Sequence, residues 1–236
     1  MCFYNSQSKR VLDLAKRYGR KTDILEMVQE ILDEQYKITA FANPYSAIIT
    51  SNPSIQVAKW GLIPAWIKSE EEAGKIRKMT INARSDTVFE LPSFRVPILK
   101  KRCLIPSTGY FEYHHEGKNA IPYYIFLKNE DIFSLGGLYE TWLNPVSKEL
   151  LQTFTVLTVP ANELCAKIHN GGKTPFRMPL IIDKVNEEQW LDSSLNADDI
   201  KSFLLPFDSH KMDAYPISKD FLKKSPMDSS IIEPAA

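Results

Sequence analysis

The stretch Thr153-Phe154-Thr155-Val156-Leu157-Thr158-Val159 reads as a β-strand. Threonine and valine are β-branched, stiff about χ1, and suited to a pleated surface. Their partial alternation predicts a half-buried strand. Pro160-Ala161-Asn162 ends the run and leads into a short helical pattern that stops near His169. Similar β-like runs precede it at Ala47–Thr50, Ile55–Trp60, Arg102–Ile105, Tyr123–Leu127 and Ile132–Leu138, bounded by Pro, Gly and Asn. Earlier still, Thr22-Asp23 looks like a helix start, with Ile24, Leu25, Val28, Ile31 and Leu32 following on one face. Two late helices are expected at 186–192 and 197–204. This order is not a βαβ repeat. It predicts an α+β fold with a central, largely antiparallel sheet or barrel. Residues 1–225 are expected to form a single compact domain, and 226–236, rich in Pro, Ser and Ala, a mobile tail.

At 236 residues, with 44% hydrophobic and 25% charged side chains, the chain can bury a substantial core. Its three cysteines are an odd number, which disfavours a disulfide framework and favours a reducing compartment. The start Met1-Cys2-Phe3-Tyr4-Asn5 carries no apolar segment of the secretory kind, and no run approaches the roughly 20 apolar residues that span a membrane. A cytoplasmic, soluble and monomeric protein is expected. Net charge is zero, 29 basic against 29 acidic residues, which argues against indiscriminate nucleic-acid binding. The distribution is uneven, however. Residues 59–102 hold ten basic and five acidic side chains, 10 − 5 = +5, and residues 183–236 hold six and eleven, 6 − 11 = −5. Such asymmetry can mark one face for a polyanion.

Cys2 follows the initiator methionine directly. Loss of Met1 would leave it an α-amine and a thiol, with ordinary pKa values of about 7.7–8.0 and about 8.5. That aminothiol can attack an acyl carbon or condense with an aldehyde into a thiazolidine. Three more polar clusters sit at the ends of β-like runs. Asn82-Ala83-Arg84-Ser85-Asp86 offers an amide, a guanidinium and a hydroxyl, although Asn82 also suits a turn. Glu112, between Phe111 and Tyr113, sits among aromatics that would desolvate it and raise its pKa. His169 ends a helical pattern and precedes a glycine-rich stretch and Arg177-Met178-Pro179; it reads either as a site residue or as a cation at a helix C-terminus. Trp60-Gly61-Leu62-Ile63-Pro64-Ala65-Trp66 places two indoles around a Gly/Pro-shaped loop in the basic region, as single-stranded nucleic acid would require. Two core tryptophans, or one inside and one outside, fit the same pattern. His114-His115 are adjacent and point apart on a strand, and no CxxC, HxxxH, phosphate loop or GxSxG occurs, so no metal and no cofactor is expected.

Taken in order, Met1-Cys2, Trp60–Trp66, Asn82–Thr87, Arg102–Pro106 with Gly109–Glu112, Thr158 with Ala161-Asn162, His169, and Arg177-Met178-Pro179 resemble the SOS-response-associated peptidase (SRAP) family, the abasic-site DNA–protein crosslinking proteins. The resemblance implies a β-rich domain acting on single-stranded DNA with abasic sites. It implies that Cys2, freed of Met1, forms a covalent thiazolidine crosslink, with Asn82, Glu112 and His169 around it. Arg84 and Ser85 would contact phosphate, Trp60 and Trp66 would lie in a base-facing loop, and Thr158 and Arg177 would complete the DNA-binding set. Weak strand-cleaving lyase activity would follow from the same parts, and Met1 would be removed either by these residues themselves or by an ordinary aminopeptidase. Two departures stand out: Phe3-Tyr4 replaces the family's usual Gly-Arg, and Asn170–Phe176 intervenes between His169 and Arg177, adding Lys173 as a new cation. The alternatives are an N-terminal-cysteine amidohydrolase or glutamine amidotransferase, and a non-covalent single-strand nucleic-acid binding module.

Overall fold

A computed structural model of the protein describes residues 2–22, 32 and 34–235. The described strands are β1 (Tyr4–Gln7), β2 (Gln35–Thr39), β3 (Tyr45–Ile48), β4 (Gln56–Trp60), β5 (Asn82–Arg84), β6 (Arg102–Ser107), β7 (Gly109–Glu116), β8 (Asn119–Leu127), β9 (Phe133–Leu143), β10 (Leu150–Pro160), β11 (Arg177–Pro179), β12 (Ile181–Ile182) and β13 (Met212–Pro216). They form two sheets. The smaller is antiparallel throughout, in the order β13-β8-β7-β1-β2. The larger follows β12-β9-β10-β4-β3, with β6 on β9 and with β5 and β11 on β10. Its only parallel pairings join β10 to β4 and β5. The fold is mixed α+β with antiparallel pairing dominant. The sheets stay open and do not close into a barrel; the nearest approach to closure is one bridge from Ile49 to Leu104 of β6.

The Thr153–Val159 strand lies at the centre of this larger sheet. It is not half-buried: all seven of these residues are buried. A strand paired along both edges and covered on both faces has no solvent side, so the alternation of Thr with apolar residues carries another meaning. Two of its three threonine hydroxyls satisfy neighbouring backbone, while the buried Thr155 Oγ1 has no hydrogen-bond partner among the described residues. Thr153 Oγ1 accepts from the Ile63 N–H at 2.9 Å, and Thr158 Oγ1 donates to Ala83 O at 3.4 Å.

The two late helices are found at Glu187–Leu191 and Ala197–Phe203. Asn196 caps the second with a reciprocal Asp199 bond, which satisfies donors that the first turn leaves open. The helix Glu163–Ile168 is capped by Asn162, whose Oδ1 accepts from Cys165 N–H at 2.9 Å. The helix expected from Thr22 through Ile24, Leu25, Val28 and Ile31 lies outside the described residues, apart from the buried Leu32. No described helix is long and apolar enough to cross a membrane.

One apolar core runs through both sheets and contains Cys2, Tyr110, Phe154 and Trp190. A second covers the outer face of the small sheet, built from Phe111, Tyr124, Ile217, Phe221 and Ile231. The segment expected to be a mobile tail contributes to it. Ile231 is buried, and Ala235 N–H donates to Pro216 O at 2.9 Å. Its polar composition hid one apolar side chain spaced to reach the sheet.

Candidate active site around Cys2

β7 sets the geometry. Side chains alternate across a strand, so Tyr110 and Glu112 share one face and Phe111 and Tyr113 the other. Phe111 and Tyr113 enter the outer aromatic cluster. That leaves Tyr110 and Glu112 facing the main core, where β1, paired to β7 through Tyr4 and Phe111, delivers Cys2. The helix Glu163–Ile168 ends there, bringing Cys165 and His169. The structure thus groups Cys2, Glu112 and His169, residues far apart in sequence.

All three are buried. Cys2 is wholly inaccessible, with Sγ 3.7 Å from Tyr4 O. Burial, reinforced by the nearby Glu112 charge, pushes its thiol far above the ordinary range. Burial likewise raises the Glu112 carboxyl to about 7. This is the desolvation that its aromatic neighbours suggested. His169 is not a helix-terminal cation: burial lowers it to about 4, so it is neutral at pH 7. Its Nδ1–H donates to Arg177 O at 2.8 Å. That bond fixes the tautomer and leaves Nε2 as an acceptor, 4.0 Å from Glu112 Oε2. Sequence reading missed Tyr110 and Cys165. The Tyr110 hydroxyl and Cys165 Sγ lie 3.1 Å apart beside Cys2, and burial holds the phenol well above its usual pKa. The available signal was strand parity, since Tyr110 is two residues from Glu112.

Asn82 enters from β5 of the other sheet. Its side-chain nitrogen and oxygen are buried and lack a hydrogen-bond partner among the described residues, so no such bond ties it to Cys2, Glu112 or His169. A buried amide without partners is costly and awaits one. The rest of β5 forms an arginine cluster. Arg84 grips Asp86 with two bonds, Nε to Oδ1 at 3.0 Å and Nη2 to Oδ2 at 2.5 Å. Arg177 approaches the same carboxylate at 3.8 Å and Ser85 Oγ at 3.5 Å.

Three members of the expected DNA-binding set are placed differently. Trp60 is buried, stacked on Phe154 at 5.6 Å, and its Nε1–H donates to Ile81 O at 2.8 Å. Its ring cannot stack on a base, because strand alternation turns it inward with Ala58. Thr158 is also buried, and it holds the Arg177 guanidinium through both its carbonyl and hydroxyl oxygens. Thr158 therefore cannot touch DNA directly; it orients Arg177. Arg177 itself is nearly buried and engaged with Thr158, Ser85 and Asp86, so it is not a free surface cation. Trp66, by contrast, is 54% exposed. Gly61 makes the turn between the two tryptophans at φ +104°, where a Cβ would meet Arg77 O at 2.9 Å.

A cleft of about 260 Å³ opens beside these residues, lined by Phe3, Glu112, Tyr113, His115, His169 and the loop Gly171–Thr174. The inserted segment is thus part of the site, not a surface excursion. Asn170 clamps it to β7: its Oδ1 accepts from His115 N–H at 2.8 Å and its Nδ2 donates to His115 O at 3.0 Å. Gly171 rests on the His115 ring, where a Cβ would come within 2.5 Å of Cδ2. Tyr4 packs edge-on against Phe41, Tyr113 and Phe221.

A family model described as SOS response associated peptidase (SRAP) matches residues 1–223. Over 218 residues the chain is 37% identical to abasic site processing protein YoqW of Bacillus subtilis (strain 168), covering 88% of this chain and 92% of that one. Over 154 residues it is 33% identical to abasic site processing protein HMCES of Gallus gallus, covering 57% and 44% of the two chains. A crystal structure of a protein from Bacteroides thetaiotaomicron matches with a TM-score of 0.96 at 54% identity, over 100% of both chains.

Proposed function

The chain belongs to the SOS response associated peptidase family, and from that premise we propose that it captures abasic sites in single-stranded DNA through a covalent bond to Cys2. The observation that carries this reading is the buried grouping of Cys2 with Glu112 and His169 beside an open cleft. Relatives named as abasic site processing proteins lend it support.

Loss of Met1 gives Cys2 an α-amine next to its thiol. An abasic sugar in its open form presents an aldehyde. The amine nitrogen adds to the carbonyl carbon and forms a carbinolamine, with the unpartnered Asn82 amide available to donate to its oxygen. Glu112, half protonated near pH 7, gives the proton that lets the hydroxyl leave as water. Sγ then attacks the imine carbon. The thiol proton passes to nitrogen by way of Glu112 or neutral His169, and a five-membered thiazolidine closes. One water is released and nothing is oxidised or reduced. Burial keeps Cys2 thiolate scarce, which favours the amine as the first nucleophile, and the thiol's later attack is intramolecular and aided by proximity.

Arg84 and Ser85 offer contacts to phosphate, and the exposed Trp66 offers a face to a base. In the same frame the Cys2 thiol attacks the Met1 carbonyl, the Met1–Cys2 C–N bond breaks to free the Cys2 amine, and water hydrolyses the resulting thioester to release Met1; the imine stage permits slow β-elimination of the DNA strand. The test is intact mass. Met1-free protein incubated with a short abasic single-stranded oligonucleotide gains the oligonucleotide mass less one water, and Cys2→Ala gains nothing. Absence of an adduct from the Met1-free wild type sinks the reading.

A further inference from the structure

The cleft has two unlike rims. On one, the lining residue Phe3 packs with its ring centroid 4.8 Å from that of Phe41, a residue that lies just outside the lining and is 59% exposed. A large aromatic left in water beside a cleft is the surface on which a base stacks. On the other rim is Lys173, the only lysine or arginine among the described residues that line the cleft, and it too is exposed. Its loop is not free to drift, since Asn170 is doubly bonded to the His115 backbone and Gly171 is pressed against the His115 ring. Between the rims are Glu112 and His169.

We propose that this cleft is a nucleotide subsite, in which the base flanking the abasic sugar stacks on the Phe3–Phe41 pair and its phosphate is held by Lys173. The assignment rests on the abasic-site reading above and names residues beyond the Cys2 group. An aromatic plane accepts any base, so the subsite is indifferent to sequence. It also divides the work of binding: stacking is non-ionic, whereas the lysine contact displaces a counterion.

That division supplies the test. Equilibrium binding is measured with single-stranded DNA carrying a tetrahydrofuran abasic analogue, which has no aldehyde and cannot be crosslinked. Phe41→Ala is expected to weaken binding about fivefold or more at every salt concentration, leaving the salt slope unchanged. Phe41→Trp is expected to restore affinity. Lys173→Ala is expected to lower the log–log salt slope by about 0.7, so its deficit shrinks by roughly threefold between 50 and 200 mM salt. Lys173→Arg should keep the wild-type slope. Wild-type affinity and slope in both alanine variants overturn the subsite. Failure of the wild type to crosslink true abasic DNA overturns the parent reading instead, so the two failures are separable.

Discussion

Glu112 is the residue on which the proposed chemistry turns, because its proton is shared out near pH 7. Adduct formation by the wild type should therefore change with pH around 7, and Glu112→Gln should be slow and lack that transition. Burial also couples the residue to stability. Unfolded, Glu112 loses its proton near 4.5; folded, it keeps it to about 7. Between those values the folded chain binds more protons, so this group makes stability fall as pH rises. His169 acts in the opposite sense. Unfolded it takes a proton near 6.5, but folded it refuses one until about 4, so it makes stability rise with pH over that window. The two slopes oppose each other between pH 4.5 and 6.5. Urea melts of Glu112→Gln should show a stability gain over wild type that grows across this range. A constant offset would mean that Glu112 titrates normally in the fold.

At the scale of elements, β2 fastens the C-terminal segment through one buried cation. Lys37 Nζ donates to the carbonyls of Phe221, Leu222 and Lys224 at 3.0, 2.8 and 2.8 Å. Burial lowers its pKa, yet three carbonyl dipoles receive the charge. Lys37→Met should cost roughly 2–3 kcal/mol, since the bonds are charge-assisted and the carbonyls stay buried. Limited proteolysis should then cut after Ser218, where the wild type resists. Nothing local in Gln35–Thr39 announces this role, because the partners lie about 185 residues away. Other elements were legible. The helix at 197–204 carries its own capping box in Asn196 and Asp199, and the β-like runs carry their own turns. Trp60 shows a signal present but easily misread. Val57 and Lys59 are half-buried while Ala58 and Trp60 are buried, a period-2 pattern that sends this indole inward whatever the flanking loop suggests. The candidate site was legible as a set of short motifs. What joins them, the parity of β7, the Asn170 clamp and the Tyr110–Cys165 contact, is long-range and has no sequence period.

Across the whole molecule, part of the basic excess of residues 59–102 is engaged within the fold, while Lys68, Lys75, Lys78, Arg95 and Lys100 stay exposed. The buried Arg102 donates to the carbonyls of Trp190, Ile98, Leu99 and Asp192, Lys101 pairs with Glu140, and Arg84 with Asp86. Counting charges along a chain therefore overstates the number of free cations at its surface. The burial of Cys2 has a different consequence, one for the lifetime of the protein. Oxidants and alkylating agents react with exposed thiolate, and Cys2, Cys103 and Cys165 are all buried, each thiol shifted upward by desolvation. Folded protein should take up iodoacetamide far more slowly than urea-unfolded protein, which should label at all three positions. Rapid labelling of folded Cys2 would show that its shelter opens in solution. On the proposed chemistry the Cys2 thiol has to survive until it meets an abasic site, and the same desolvation that makes it a poor thiolate shields it from peroxide.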